Sequence, residues 1–352
     1  MNTALCRAHG GPDAQGVPLW DFSTNANACG PCPQALNAVR QADAQHYPDP
    51  AYTDLRAALA AFHGVAVARI VLAGSASEFI ARITAALAHR RGPGVWVPPL
   101  AYGDYAQAAQ AWGLQRLDVP KHAALAWLCE PSSPLGTAET LAQAVVNTGA
   151  VVVLDRAYEP LRLSGRCSLS HETLGQVWQL WSPNKALGMT GVRGAYAIAP
   201  QNNLSFARSL DRMAPSWPLG AHAVAMLGAW VQADTQQWLA HSRTQLAAWK
   251  TEQVAMLQQG GWHCLPSETN YFCAHAPFPV DATLLRAQGI KLRDTTSLGL
   301  PAHWRLGVLP PAAQQALQVA LLAQRSAACQ DTGVMGQTGG LPAVPCLKTE
   351  HF

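Results

Sequence analysis

Lys185 lies just past the apolar run 177–181, inside Ser182-Pro-Asn-Lys-Ala-Leu-Gly-Met-Thr-Gly-Val-Arg-Gly194. An amine at the end of a buried strand can form a Schiff base with a carbonyl cofactor. Asp155 closes the most apolar run of the chain, Ala150-Val-Val-Val-Leu154. A carboxylate so placed needs a charged or hydrogen-bonding partner, and a protonated pyridine nitrogen suits it. Ser182 and Arg193 are suited to a phosphate, as are free N–H groups at a helix start near Ala76 and Ser77. Tyr102 can stack on a flat ring. Taken singly, Lys185 also reads as a solvated lysine and Asp155 as a helix cap, because loops collect such residues.

The elements that must position these groups are visible as alternating patterns. Short apolar runs at 69–73, 94–97, 124–129, 150–154, 177–181 and 194–199 read as strands. Helical periodicity over 53–63, 76–89, 102–112 and 137–147 separates several of them. This alternation predicts an α/β fold with a mainly parallel sheet covered on both faces. Ligands of such sheets bind at the carboxyl ends of the strands, where the residues above fall. Helices are expected over 202–214, 218–232 and 236–259, then strands at 270–274, 290–293 and 303–307 with helices at 281–287 and 311–325. This gives a second, smaller α+β domain. The expected division is an N-terminal arm with part of the small domain over 1–47, a large domain over 48–240, a C-terminal small domain over 241–325 and a disordered tail over 326–352.

Of the 352 residues, 13% are charged, about half the usual share. A net charge of +3 is too small to suggest a nucleic-acid partner. No apolar run reaches the roughly 18–20 residues that span a bilayer, and Met1-Asn-Thr-Ala-Leu-Cys-Arg7 has no signal-peptide core. The reading is a cytoplasmic protein with no membrane or nucleic-acid partner. Nine cysteines, an odd count, read as reduced thiols. Cys29-Gly-Pro-Cys32 has redox spacing, but the polar residues before it read as a loop and not as a strand entering a helix, so a Gly-Pro turn between two thiols is preferred. No paired set of Cys and His completes a zinc site. The glycine patterns of dinucleotide binders and of serine-hydrolase elbows are also missing.

Together these residues resemble the fold-type I pyridoxal-phosphate enzymes of aminotransferase class I/II, over about residues 7–325. The pieces that carry the resemblance are His9-Gly-Gly11, Asp21-Phe-Ser-Thr-Asn-Ala-Asn27 with Gly30-Pro31, Tyr47-Pro-Asp49, Ala76-Ser-Glu78, Tyr102-Gly-Asp-Tyr105, Pro134-Leu-Gly136, Asp155-Arg-Ala-Tyr158, Ser182-Pro-Asn-Lys185, Gly191-Val-Arg193, Asn270-Tyr-Phe272, Arg293-Asp294 and Arg305-Leu-Gly307. Within that class the chain looks most like the threonine-phosphate decarboxylases of cobalamin synthesis, relatives of histidinol-phosphate aminotransferases. The His-Gly-Gly start tilts the choice towards the decarboxylases.

The resemblance implies an aspartate aminotransferase-like fold and pyridoxal 5′-phosphate as cofactor. Lys185 would bind the cofactor covalently. Asp155 would hold the pyridine nitrogen, Tyr158 the phenolic oxygen, and Tyr102 would stack on the ring. Ala76, Ser77, Ser182 and Arg193 would bind the cofactor phosphate, with Tyr47 reaching it from a second subunit of a homodimer. Arg305 would take the substrate carboxylate, while His9, Gly10, Asn25 and Arg293 would line the site of a phosphorylated amino acid. No metal is implied. The implied reaction is decarboxylation of threonine O-3-phosphate to an aminopropanol phosphate. Histidinol-phosphate-type amino transfer is the alternative, and a non-catalytic partner protein a further one. Four places depart from the family pattern. Ser133, which would bind the cofactor, stands where the family has an Asn that touches the phenolic oxygen and the substrate, Asn184 replaces the Ser or Thr before the lysine, Arg156 replaces an acidic residue, and Ala73-Gly-Ser75 replaces a Gly-rich turn.

Overall fold

The computed structural model describes residues 9–89 and 94–334, with the side chains of 327–334 left out. Its thirteen strands are β1 (Trp20–Asp21), β2 (Ile70–Ala73), β3 (Gly94–Trp96), β4 (Gln115–Leu117), β5 (Leu125–Cys129), β6 (Val151–Asp155), β7 (Trp178–Trp181), β8 (Ala195–Ile198), β9 (His263–Cys264), β10 (Tyr271–His275), β11 (Ile290–Lys291), β12 (Arg293–Asp294) and β13 (His303–Gly307). Seven of them form the large sheet, in the order β2-β8-β7-β6-β5-β3-β4. All neighbours are parallel except at β8, which runs antiparallel to both β7 and β2. The expected α/β fold with a mainly parallel sheet is therefore present.

Strand alternation divides the sheet's side chains between its two faces. Trp127, Val153 and Leu180 pack beneath helices Ala76–Ala88, Gly103–Ala111 and Leu204–Met213. Ala126, Leu128, Val152 and Leu154 pack on the opposite face with Val145 of the short helix Ala142–Val146. That helix is shorter than the 137–147 expected. A third cluster joins Leu72, Trp181 and Ile198 at the antiparallel end of the sheet to Leu306, Phe272 and helix Ala233–Gln259. This 27-residue helix runs through the boundary expected at 240/241.

The second sheet is antiparallel, in the order β12-β13-β10-β9. The N-terminal segment is not wholly extended. It contributes β1, which pairs in parallel with β11, and a helix at Pro33–Arg40. That helix has only eight residues, shorter than the stretch over which helical periodicity registers in a sequence. The last helix, Pro311–Val334, continues past the end expected at 325, so the expected tail does not begin at 326. Residues 335–352 of that tail lie outside the described residues. Among the described residues no helix is long and apolar enough to cross a membrane.

Candidate active site

A cavity of about 520 Å³ opens at the carboxyl ends of β5, β6 and β7. It is lined by thirteen of the fifteen residues named from the sequence: His9, Gly10, Asn25, Ala76, Ser77, Tyr102, Ser133, Asp155, Tyr158, Ser182, Lys185, Arg193 and Arg305. Lys185 Nζ lies 5.0 Å from the centre of the Tyr158 ring. The Tyr158 hydroxyl accepts a hydrogen bond from Asn25 Nδ2 at 3.2 Å.

Helix Ala76–Ala88 points its first turn at the cavity. Ser75 caps it by accepting from Glu78 N at 3.1 Å. Helix geometry gives the N–H groups of Ala76 and Ser77 no partner within the helix. They face the cavity beside Ser182 and the exposed Arg193, which together make an anion-binding end. The Ser77 and Tyr102 hydroxyls are 3.5 Å apart, which brings Tyr102 against the same end.

Asp155 is buried at the end of β6. Burial pushes its carboxyl above the usual range, against the hydrogen bond from Tyr105, the charge of Lys185 and the N–H of Ala157. A cationic partner on the cavity side would offset that desolvation.

Arg305 is also buried. It reaches Ser133 Oγ and the Ser23 carbonyl, each at 3.3 Å. Its Nε has no hydrogen-bond partner, nor have Ser182 Oγ, Asn184 Oδ1 and Asn25 Oδ1. Buried polar atoms of this kind need partners. Phosphate and carboxylate oxygens of a ligand would accept from Ser182 and from Arg305 Nε, whereas the two asparagine oxygens call for donors.

Two predicted residues do not line the cavity. Tyr47 is 77% exposed and stacks on Trp217 at 4.3 Å, outside the chain's own site. Arg293 lies on β12 directly opposite Arg305 on β13, and its Nη2 donates to Ser297 Oγ at 2.9 Å. Paired antiparallel residues share a sheet face.

The departures have structural counterparts. Ser133 accepts from Arg305. Asn184 reaches the carbonyls of Thr190 and Val192 at 3.5 and 3.4 Å, bracing the lysine loop. Arg156 donates to Gln179 Oε1 at 2.9 Å and lies over the Trp181 ring at 4.6 Å.

The lysine loop is also held by the N-terminal segment. Asn27 N donates to the Lys185 carbonyl and Asn27 Nδ2 to that of Ala186, both at 2.9 Å. Gly30 crosses Gly188 so closely that a Cβ on Gly30 would lie 2.8 Å from the Gly188 Cα. Cys29 and Cys32 serve this docking. Cys32 precedes helix Pro33–Arg40, and burial raises the Cys29 thiol, the opposite of what a redox nucleophile needs.

The sequence reading left out Gly11, Ser23, Thr24, Asp104, Tyr105, Cys129 and Thr190, all of which line the cavity. Tyr105 and Asp104 stand in the quoted Tyr102-Gly-Asp-Tyr105 run. The i+3 spacing from Tyr102 was the available signal for Tyr105.

The chain belongs to the aminotransferase class I and II family, whose model matches residues 17–321. Its cofactor is pyridoxal 5′-phosphate. Among curated relatives, it is 28% identical over 300 residues to histidinol-phosphate aminotransferase 2 of Rhizobium meliloti, covering 78% of this chain and 82% of that protein. Its fold matches the histidinol-phosphate aminotransferase of Sinorhizobium meliloti, solved in complex with pyridoxal-5′-phosphate. That TM-score is 0.70 at 23% identity, covering 85% of this chain and 88% of that one. It also matches the L-threonine-O-3-phosphate decarboxylase of Porphyromonas gingivalis, with a TM-score of 0.67 at 21% identity, covering 83% and 92%. The site therefore sits in an enzyme of the pyridoxal-phosphate aminotransferase family. The sequence resemblance puts decarboxylation first, whereas curated relatives that are histidinol-phosphate aminotransferases favour its alternative.

Proposed function

We propose that this chain transfers an amino group from a small phosphorylated amine or amino acid, in the manner of the histidinol-phosphate aminotransferases. The observation that carries the reading is the pair Arg293 and Arg305 on one sheet face, with Arg305 opening into the cavity that holds Lys185. Two cations side by side suit a substrate with a multiply charged anionic end. The 28% identity to a named histidinol-phosphate aminotransferase supports amino transfer over CO2 release.

Bound pyridoxal phosphate supplies a carbonyl for the amine and a ring that draws electrons from Cα. The chain's residues do the rest. Lys185 holds the cofactor and, once released, takes and returns the proton at the substrate Cα. Asp155 holds the proton on the ring nitrogen. Tyr158, steadied by Asn25, meets the phenolic oxygen, and Tyr102 covers the ring. Ser77, Ser182, Arg193 and the N–H groups of Ala76 and Ser77 hold the cofactor phosphate. Arg305 orients the substrate so that Cα–H faces Lys185, and Arg293, behind it on the same sheet face, adds positive charge at that end. The exposed Tyr47 serves the site of a second copy in a cytoplasmic homodimer.

A second reading is decarboxylation of threonine phosphate, with the carboxylate turned to where the proton would be. It is favoured by the His9-Gly-Gly11 segment, which lines the cavity with Gly11 N held by Ser23 Oγ at 2.8 Å. The deciding experiment supplies histidinol phosphate with a keto acid, and threonine phosphate alone. Keto-acid-dependent amino transfer without CO2 supports the first reading. Release of CO2 from threonine phosphate with no keto acid replaces it with the second.

A further inference from the structure

Asp155 stands two residues after Val153 on β6, so its side chain leaves the same sheet face and meets helix Gly103–Ala111. There the Tyr105 hydroxyl donates to Asp155 Oδ2 at 2.7 Å. The N–H of Ala157 donates to Oδ1 at 2.9 Å. The Tyr105 side chain is fully buried, and its ring lies flat on Trp127, with centroids 4.5 Å apart and planes 7° apart. Stacked in this way, the ring fixes where its hydroxyl can reach. Asp155 and Tyr105 both touch the cavity.

We propose that Tyr105 is the positioning residue for Asp155, fixing the carboxylate plane and holding it ionised so that it pairs with a protonated ring nitrogen. A buried carboxylate favours its neutral form, and a neutral acid can no longer hold a cation. Donors aimed at its oxygens favour the charged form. Tyr105 is the largest of the influences that oppose burial here. The other titratable groups facing Asp155 are Lys185, Asp104 and Cys129. Only Lys185 among these favours the charge, and it is committed to the cofactor. The inference rests on Asp155 meeting the ring nitrogen, as in the function proposed above.

The test compares binding of pyridoxal 5′-phosphate and of its 1-deaza analogue, whose ring nitrogen is replaced by C–H, to apoenzyme by absorbance or fluorescence titration. The wild type should prefer the natural cofactor. Tyr105→Phe should weaken the natural cofactor roughly tenfold, the weight of one hydrogen bond to a charged group, and the analogue less than twofold. Equal weakening of both would overturn the inference and leave Tyr105 a packing residue. A wild type without any preference would instead overturn the Asp155 assignment beneath it. Should Tyr105→Phe not fold, Tyr105→His restores a donor. Retention of the preference in that variant supports the inference, and its loss overturns it.

Discussion

Arg293 and Arg305 face each other across β12 and β13, so two guanidinium stems leave one sheet face side by side. Like charges in that position repel. Burial first, and then the charge of Arg305, make Arg293 easier to deprotonate than an ordinary arginine. An anion between them relieves both effects.

Arg305→Leu should therefore lower kcat/KM for the phosphorylated substrate by about 100-fold or more, chiefly through KM. Its unfolding midpoint should stay level or rise, because a buried guanidinium with an unpartnered Nε is removed. Steady-state kinetics and a thermal scan together check this. A less stable protein with unchanged kinetics would mean that Arg305 is structural.

Lys185→Ala should abolish the visible absorbance of the covalently held cofactor, near 410–430 nm (approximate for this chemistry). Borohydride treatment of the wild type followed by peptide mapping should place the label on Lys185 and on no other lysine.

A Cβ on residue 10 would come 2.1 Å from the Ser23 carbonyl oxygen. Gly10→Ala must therefore displace the His9 segment from the cavity. Cofactor affinity should change little, while KM for the substrate rises about tenfold or more. An unchanged KM would remove His9 and Gly10 from the substrate site.

His63 is half-buried against Trp181 and Tyr196, and that burial, helped by the charge of Arg156, lowers its pKa to about 4. Trp230 Nε1 donates to the Tyr196 oxygen at 3.1 Å, which leaves the tyrosine proton for His63 Nε2 at 2.8 Å. The folded pKa lies below the unfolded value, so the unfolded chain binds the extra proton first. The stability is whole above pH 6.5 and is lost as pH falls from there to about 4, by on the order of 3 kcal/mol at most. Urea unfolding of wild type and His63→Gln at pH 7.5 and 5 tests it. The variant should be the less sensitive of the two.

Arg162 joins Glu130, Glu159 and Glu268 in one cluster, and Glu130 is wholly buried. Arg162→Met should destabilise the protein by about 3–5 kcal/mol, because Glu130 then keeps a buried charge without its cation. Adding Glu130→Gln should restore part of the loss, measured by a double-mutant cycle in urea.

The parts of the site that were legible in the sequence are those that break a pattern. Lys185 and Asp155 are charges at the ends of apolar runs, and Arg305 and Arg193 are cations in a chain poor in them. Tyr105 stood in a legible motif, but its role was not legible, because a buried tyrosine on a helix reads as core and only the fold sets its hydroxyl against Asp155. The short strands β1, β4 and β9 were missed for another reason. Each has two or three residues, too few for alternation to register, and is fixed by its neighbour in the sheet. The helix Ala233–Gln259 was legible because it is long, whereas Pro33–Arg40, with eight residues, was too short to register.

The docking of Asn27 and Gly30 on the lysine loop sets an order of events at the ribosome. The segment that braces Lys185 is made first, but its contact at Ala186 lies 159 residues further on. The pairing of Trp20 with Ile290 lies later still. Contacts so distant in sequence form slowly. A nascent chain halted before Ile290 would carry the lysine without the finished cradle around it. The early residues thus act as one half of a cradle whose other half is supplied by strands far along the chain.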